Sequence, residues 1–237
     1  MQNCFLPTGN IQGFKHDFRP NRIPHSRRGV QRHHRYDFQP RILEDCSHLS
    51  GIGSNFYNPD APVPIVQVGN AGDVGVAQFT DMLFSVADVL QGATILQVNM
   101  AGSSPGDVGF WNTGIRVGGS ADTLVNTVCE ATNTVDCKAA FALMHVTSTG
   151  SPYIENMWGW VADHSLENGG AQNIAVGRGA LIESTQGIWM VGTAFEHSTM
   201  YQYNLNNAQN VYIGMQQTEN PYWQGYGSTE NAPSPWT

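Results

Sequence analysis

Two glutamates, Glu196 and Glu219, occupy the same phase of a repeated sequence unit. When the stretch 187–223 is shifted against itself by 23 residues, Ile188 falls on Val211 and Glu196 falls on Glu219. Paired carboxyl groups are the usual equipment for general acid–base chemistry, because one can donate a proton while the other acts on water. The repeat therefore predicts that two chemically useful carboxyl groups lie side by side.

The repeated unit itself predicts the element that positions them. A period of this length is the signature of stacked supersecondary units. The units are rich in β-branched and aromatic residues, so each is expected to form one coil of a parallel β-solenoid. Equivalent positions in successive coils lie about 4.8 Å apart.

A second, looser match extends the pattern backwards. Shifting by 33 residues places Met157 on Met190 and Asp163 on Glu196, with the extra residues assigned to a loop around 167–170. This predicts a ladder of acids formed by Asp163, Glu196 and Glu219. Stacked like charges repel each other, which favours a functional reading. A solvated acidic edge is the alternative.

Short apolar runs punctuated by Gly, Asn, Asp and Ser continue from Pro64 onward, and their composition is typical of strands. They comprise 64–68, 76–86, 94–100, 110–117, 140–148, 153–161 and 173–184. A β-sandwich would show similar runs but would not explain glutamates in phase. We predict an all-β fold, a parallel β-helix.

Charge divides the 237 residues into two parts. Residues 1–41 hold eight of the eleven Lys and Arg residues, whereas the remainder is strongly acidic. We expect residues 1–43 to be a poorly ordered basic leader and 44–237 to be the β-helix module. A basic arm for nucleic acid is the alternative, but no recognisable nucleic-acid-binding module accompanies it. We expect no nucleic acid partner.

Targeting and cofactor signals are sparse. No run of 18 apolar residues occurs, which predicts no membrane partner, and the first residues lack the apolar run of a secretory signal. His145, His164 and His197 lack close ligand spacing, so we expect no metal and no cofactor. Cys129 and Cys137 bracket a polar loop and are candidates for a disulfide in an oxidising compartment.

Several motifs together resemble the second half of the fungal β-1,3-glucanases of glycoside hydrolase family 55. They are VQVGNAGDVG (66–75), FTDMLFSV (79–86), GIRVGG (114–119), WGWVADHSLE (158–167) and the stretch 177–223. The resemblance covers roughly residues 44–237. It implies a right-handed parallel β-helix of the single-stranded, pectate-lyase-like kind, and extracellular, mainly exo-acting hydrolysis of β-1,3-glucan with inversion.

The resemblance also assigns roles to residues. The family's Gln-Thr-Glu-x-Pro-Tyr motif falls on 217–222 and implies that Glu219 is the general acid, with Asn220 where the family usually has Thr. The Glu-His motif implies that Glu196 positions or activates the attacking water. An ionised Glu196 would also discourage ionisation of Glu219.

Residues near the acids are candidates for binding the sugar. Aromatic rings stack on sugar faces, and side-chain amides form hydrogen bonds with sugar hydroxyls. The ordinary alternatives are that the aromatic residues are buried in the core and that the amides stack on one another inside the solenoid. For Asp163 three roles stay open: it binds sugar, it orients His164, or it caps a turn. The candidates are Gln217, Tyr222, Tyr203, Gln202, Trp160 and Asp163, with Trp158 and Trp223 as further aromatic residues.

The chain also departs from that family. Family members are roughly three times as long, and an N-terminal β-helix module normally in the same chain supplies part of the cleft, so we expect a fragment truncated at its C-terminus. A noncatalytic β-helix that binds cell-wall polysaccharide is therefore the alternative. A uronate-specific lyase is less favoured, because Arg116, Lys138 and Arg178 are the only cations in this region.

Overall fold

Parallel strands dominate the structure. The computed structural model describes residues 3–6, 47–120, 123–130 and 137–221. Within these ranges one α-helix, α1 (Leu124–Glu130), and a 3₁₀ turn at Ser54–Phe56 accompany seventeen strands. Every pairing between these strands is parallel.

The strands form three sheets. Sheet I contains β1 (Asn3–Leu6), β2 (His48–Gly51), β5 (Leu83–Val86), β8 (Gly114–Val117), β11 (Trp158–Val161), β14 (Ala194–Glu196) and β17 (Gln217–Glu219). Sheet II contains β4 (Ala77–Thr80), β7 (Val108–Trp111), β10 (Tyr153–Glu155), β13 (Ile188–Val191) and β16 (Val211–Gly214). Sheet III contains β3 (Val63–Val68), β6 (Leu90–Val98), β9 (Lys138–Val146), β12 (Ala175–Ile182) and β15 (Tyr201–Leu205).

The chain visits the three sheets in a fixed cycle. From β4 onward each strand of sheet II is followed by one of sheet I and then one of sheet III, and the next coil stacks on the last. This is the topology of a three-sided parallel β-solenoid. The prediction of an all-β fold with parallel sheets is confirmed. The right-handed winding of the coils and the assignment to the pectate-lyase-like kind stay predictions.

A column of left-handed residues turns the chain from sheet II to sheet I. One residue per coil at this corner has φ between 50° and 61°, a region that Asn, Asp and Gly enter most readily. The corner explains why runs such as 76–86 and 153–161, predicted as single strands, are two strands each. The column consists of Asp81, Asn112, Asn156, Gly192 and Met215.

The core of sheet I is an inward column that fixes which residues point outward. Leu49, Phe84, Ile115 and Phe195 are buried in successive coils, and Gly159 takes the position between the last two. A Cβ on Gly159 would lie 2.3 Å from the Phe195 ring, so the phenyl ring fills the space that the glycine leaves.

Two insertions follow strands of sheet I. The first, after β8, contains α1 and a disulfide between Cys129 and Cys137, whose Cα atoms are 5.6 Å apart. The second, after β11, turns at 165–170 near the predicted loop. The Leu166 amide donates to the Gly119 carbonyl at 3.1 Å, which ties the two insertions together.

The predicted leader is described only at Asn3–Leu6, which pairs with His48–Gly51 at the edge of sheet I. The rest of the predicted leader, including its arginines, lies outside the described residues. None of the helices in the described part of the chain is long and apolar enough to span a membrane.

Candidate active site

The predicted register of the two glutamates is confirmed. Glu196 ends β14 and Glu219 ends β17, and the two residues are direct partners across parallel strands. The same 23-residue offset pairs Ile188 with Val211. Phe195 points into the core, so the alternation of the strand directs both carboxyl groups outward.

His197 completes the cluster. It follows Glu196 with φ of 64°, and its amide donates to the Glu219 carbonyl at 2.9 Å. Its buried ring lies with Nδ1 2.8 Å from the Val161 carbonyl oxygen and Nε2 2.9 Å from Oε2 of Glu219. Sequence reasoning considered His197 as a metal ligand without close partners and assigned it no role at the site, although it directly follows Glu196.

Glu196, His197 and Glu219 each offer a ligand atom within 4.8 Å of the other two. That spacing alone would also admit a cation. The contact between Nε2 and Oε2 is also at hydrogen-bond distance, 2.9 Å.

The predicted ladder with Asp163 is wrong. Trp160 pairs with Glu196, an offset of 36 residues where the sequence match used 33. The match was drawn by local similarity between Asp163-His164-Ser165 and the residues from Glu196, but the strand register follows the corners, where Asn156 aligns with Gly192. Asp163 lies past the end of β11, and its carboxylate bonds Nδ1 of His164 at 2.9 Å.

Trp160 points outward, but other groups cover it. It is 3% exposed, and Gly119 packs so closely on its ring that a Cβ there would lie 2.8 Å away. Trp158 stacks on it with ring centroids 5.0 Å apart and is 47% exposed. Trp158 therefore offers solvent the aromatic face that the sequence assigned to Trp160.

Tyr203 and Gln202 serve the scaffold in this structure. Tyr203 packs edge-on against Phe195 and donates to Thr193 at 3.0 Å. Burial raises the pKa of its hydroxyl to about 12, against the lowering effect of that hydrogen bond. The Gln202 side chain bonds both the amide and the carbonyl of Ser198 at 2.8 Å, which fixes the turn after His197.

Gln217 is exposed at the start of β17, in line with Ala194 and Trp158. The amide side chain thus has room to meet a ligand beside Glu219. Its role in sugar binding stays a prediction. Tyr222 lies outside the described residues.

A polar column missed by sequence reasoning precedes the acids on the same outward face. Ser50, Ser85 and Arg116 pair in successive coils before Trp160. His48 Nε2 lies 2.6 Å from the Ser85 hydroxyl. Burial lowers the pKa of both His48 and Arg116, and the Arg116 charge lowers that of His48 further.

Comparison with known proteins bears on this site. No family model matches the chain. It is 42% identical over 185 residues to the "Probable glucan endo-1,3-beta-glucosidase" of Arthroderma benhamiae, a match covering 74% of this chain and 21% of that protein. It is 40% identical over 202 residues to the "Glucan endo-1,3-beta-glucosidase BGN13.1" of Trichoderma harzianum, covering 82% of this chain and 26% of that protein. Most of this chain is therefore similar to a part of each of these two proteins, both of which are named as glucan endo-1,3-beta-glucosidases.

A third relative has a different name. The "Non-secreted LysM effector LysM15" of Penicillium expansum is 40% identical over 200 residues, which cover 82% of this chain and 14% of that protein. The chain thus spans about a quarter or less of the length of these relatives.

Proposed function

We propose that this chain carries the proton-donating part of an active site that hydrolyses β-1,3-glucan. The observation that carries the proposal is the outward pairing of Glu196 and Glu219 with His197 between them. The names of the homologous glucosidases supply the substrate class. Glycoside hydrolysis generally uses a pair of carboxyl groups of this kind.

Glu219 is the general acid in this proposal. Its side chain is 45% exposed, so a glycosidic oxygen can approach it, and His197 holds one of its oxygens from the buried side. The acid protonates the leaving oxygen as the bond to the anomeric carbon breaks. A water molecule forms the new bond to that carbon and gives its proton to the partner carboxylate.

Glu196 is the proposed partner that positions the water. In an inverting pair the two carboxyl groups are about 6.5–9.5 Å apart, to leave space for that water. The nearest oxygens of Glu196 and Glu219 lie within 4.8 Å. These oxygens lie closer than an inverting pair requires, so the two side chains must splay apart for inverting hydrolysis, which is the finer part of the proposal.

Trp158 is the proposed sugar platform. Its ring is half exposed, and its neighbour in the next coil is the small residue Ala194, which leaves the ring face uncovered on the side of the acids. Gln217 follows in the same column and offers an amide to sugar hydroxyls. A glucose ring stacked on Trp158 would lie one coil from Glu196.

The alternative is a noncatalytic module that binds cell-wall polysaccharide. The relatives named as LysM effectors favour it, because those names do not describe hydrolases. The disulfide of Cys129 and Cys137 suits an extracellular setting for either function. Both functions use the same outward face of sheet I.

Incubation of the chain with laminarin, followed by proton NMR of the products, tests the proposal. Release of glucose with first-formed α-anomer supports exo-acting, inverting hydrolysis, and longer products would instead indicate internal cleavage. Binding to insoluble β-1,3-glucan without any released sugar would support the noncatalytic module. The same assay on a chain extended by an N-terminal module then tests whether that module completes the cleft.

A further inference from the structure

We propose that His197 is a positioning residue that stores one proton between its Nε2 atom and the carboxyl group of Glu219. The functional meaning of this proton rests on the proposed role of Glu219 as the acid. The hydrogen-bond geometry from which the proton is inferred does not depend on that proposed role. A test on the ring itself therefore separates the two claims.

The carbonyl of Val161 determines the tautomer of the ring. A carbonyl oxygen only accepts hydrogen bonds, so Nδ1 of His197, 2.8 Å away, must carry a hydrogen and donate it. The neutral ring then has its lone pair on Nε2. That lone pair points at Oε2 of Glu219, 2.9 Å away.

The second contact therefore needs one more hydrogen. A neutral ring facing an ionised carboxylate would bring two lone pairs together at 2.9 Å without a hydrogen between them. Two arrangements remain: a neutral ring accepting from protonated Glu219, or a charged ring donating to ionised Glu219. Both contain the same stored proton.

Burial decides between these two arrangements. The side chain of His197 is 5% exposed and that of Glu219 is 45% exposed. A charge on the buried ring would lose its solvation, whereas the neutral arrangement keeps both hydrogen bonds of the ring without a buried charge. We therefore place the proton on Glu219, the member of the pair that solvent and substrate can reach.

Other ionisable groups near the pair act in the same direction. Glu196 faces Glu219 from the neighbouring coil, and two ionised carboxylates at that distance repel each other. The Tyr203 hydroxyl, on the inner side, stays neutral because burial raises its pKa. Once Glu219 has given its proton to a leaving oxygen, the lone pair of Nε2 favours uptake of a new one.

Nitrogen-15 NMR of the histidine rings in the full chain tests this directly. We expect His197 to be neutral with its hydrogen on Nδ1 at neutral and mildly acid pH. Glu219→Gln should preserve this tautomer, because its amide donates to Nε2 as a protonated carboxyl does. A charged ring, a hydrogen on Nε2 alone, or a change of tautomer in Glu219→Gln would overturn the proposal.

His145 provides the matched control. Its Nε2 lies 2.8 Å from Oε2 of Glu183, a distance like that in the active-site pair. The hydrogen bonds from His145 and Asn206 hold the pKa of Glu183 below its usual value despite burial, so this carboxyl is ionised. We expect the hydrogen of His145 on Nε2, the opposite tautomer in the same spectrum.

Kinetics separate this proposal from the proposed function. His197→Asn keeps a residue that tolerates positive φ but removes the imidazole ring with its Nε2 atom. Glucan hydrolysis should therefore fall about tenfold, and the alkaline limb of its pH profile should move to lower pH. His145→Asn should change neither. An inactive Glu219→Gln with an unchanged His197→Asn profile would overturn only the His197 role, whereas an active Glu219→Gln would overturn the proposed function.

Discussion

Oε2 of Glu219 and Nε2 of His197 lie 2.9 Å apart, and they come from neighbouring coils of the solenoid. The contact depends on three independent restraints. The strand register places Glu219 beside Glu196, the positive φ of His197 turns its ring back toward the sheet, and the Val161 carbonyl holds the ring from the preceding coil. A scaffold of stacked coils thus brings together a carboxyl group and an imidazole ring that are 22 residues apart in the sequence.

Trp158 and Trp160 should respond differently to truncation. Trp158→Ala removes an exposed ring and should weaken laminarin binding while changing stability little. Trp160→Ala removes a buried ring and should lower the free energy of unfolding by about 3–5 kcal/mol. Calorimetric titration with laminarin oligosaccharides and urea unfolding measure the two effects. Equal binding losses, with Trp160→Ala fully stable, would contradict this division of roles.

Gly159 should be intolerant of a side chain because the Phe195 ring occupies its space. Gly159→Ala places a methyl group 2.3 Å from that ring and should cost about 1–3 kcal/mol of unfolding free energy. It should also displace Glu196, the next residue after Phe195. The double variant with Phe195→Leu should recover part of the loss in a chemical denaturation experiment. If the second change adds its own cost in full, the two residues do not share this space.

The prediction for the disulfide follows from its short loop. Cys129 and Cys137 are eight residues apart, and closing a loop of that length stabilises a fold by about 2–3 kcal/mol in the chain-entropy model. The paired Ser variant should lose that amount in thermal or urea unfolding. Its glucan binding should be retained, because the bond lies in the insertion after β8 rather than beside the glutamates. An unchanged midpoint would show that the insertion does not need the bond.

His48 should make the stability of the chain depend on pH. Its pKa is lowered from 6.5 by burial and by Arg116, so the unfolded chain takes up a proton at a higher pH than the folded chain does. Its contribution to stability is therefore present above about pH 6.5 and is lost as the pH falls through the lower folded pKa. We expect the free energy of unfolding, measured with urea between pH 7.5 and 5, to change less with pH in His48→Gln than in the wild type. If the free energy of unfolding depends on pH equally in both proteins, the lowered pKa of His48 is contradicted.

A chelator should leave the activity of the chain unchanged. In the proposed function Glu196, His197 and Glu219 handle protons and water, so dialysis against EDTA should affect neither laminarin hydrolysis nor thermal stability. Loss of activity that returns with a divalent cation would show instead that the three side chains hold an ion.

The repeats in the sequence predicted the fold class and the pairing of the two glutamates. The coils that carry Glu196 and Glu219 differ by no insertion, so strand alternation and a constant offset were enough to align them. The preceding coil contains the 162–174 insertion. There the sequence alignment followed the resemblance of Asp163-His164 to Glu196-His197. The correct register is marked by the corner residue Asn156, which has a left-handed conformation.

Residue type alone could not predict what covers each outward side chain. Trp160 and Trp158 have the same phase in β11, but Gly119 from a distant insertion covers only Trp160. Gln202 bonds the backbone of Ser198, and the Tyr203 hydroxyl bonds the Thr193 side chain. The role of His197 likewise depends on Val161, 36 residues earlier in the chain.

The most direct test of the claim that Glu219 is the general acid is the rate of laminarin hydrolysis. It is measured for Glu219→Gln, for the wild type and for Glu155→Gln. Glu155 is a matched control because it is another outward glutamate, on sheet II and bonded to Tyr153. In an assay for released reducing sugar at mildly acid pH, we predict that Glu219→Gln falls by at least about 100-fold, as loss of a general acid requires. Glu155→Gln should hydrolyse laminarin at the wild-type rate. A folded Glu219→Gln that releases sugar as fast as wild type would contradict the account.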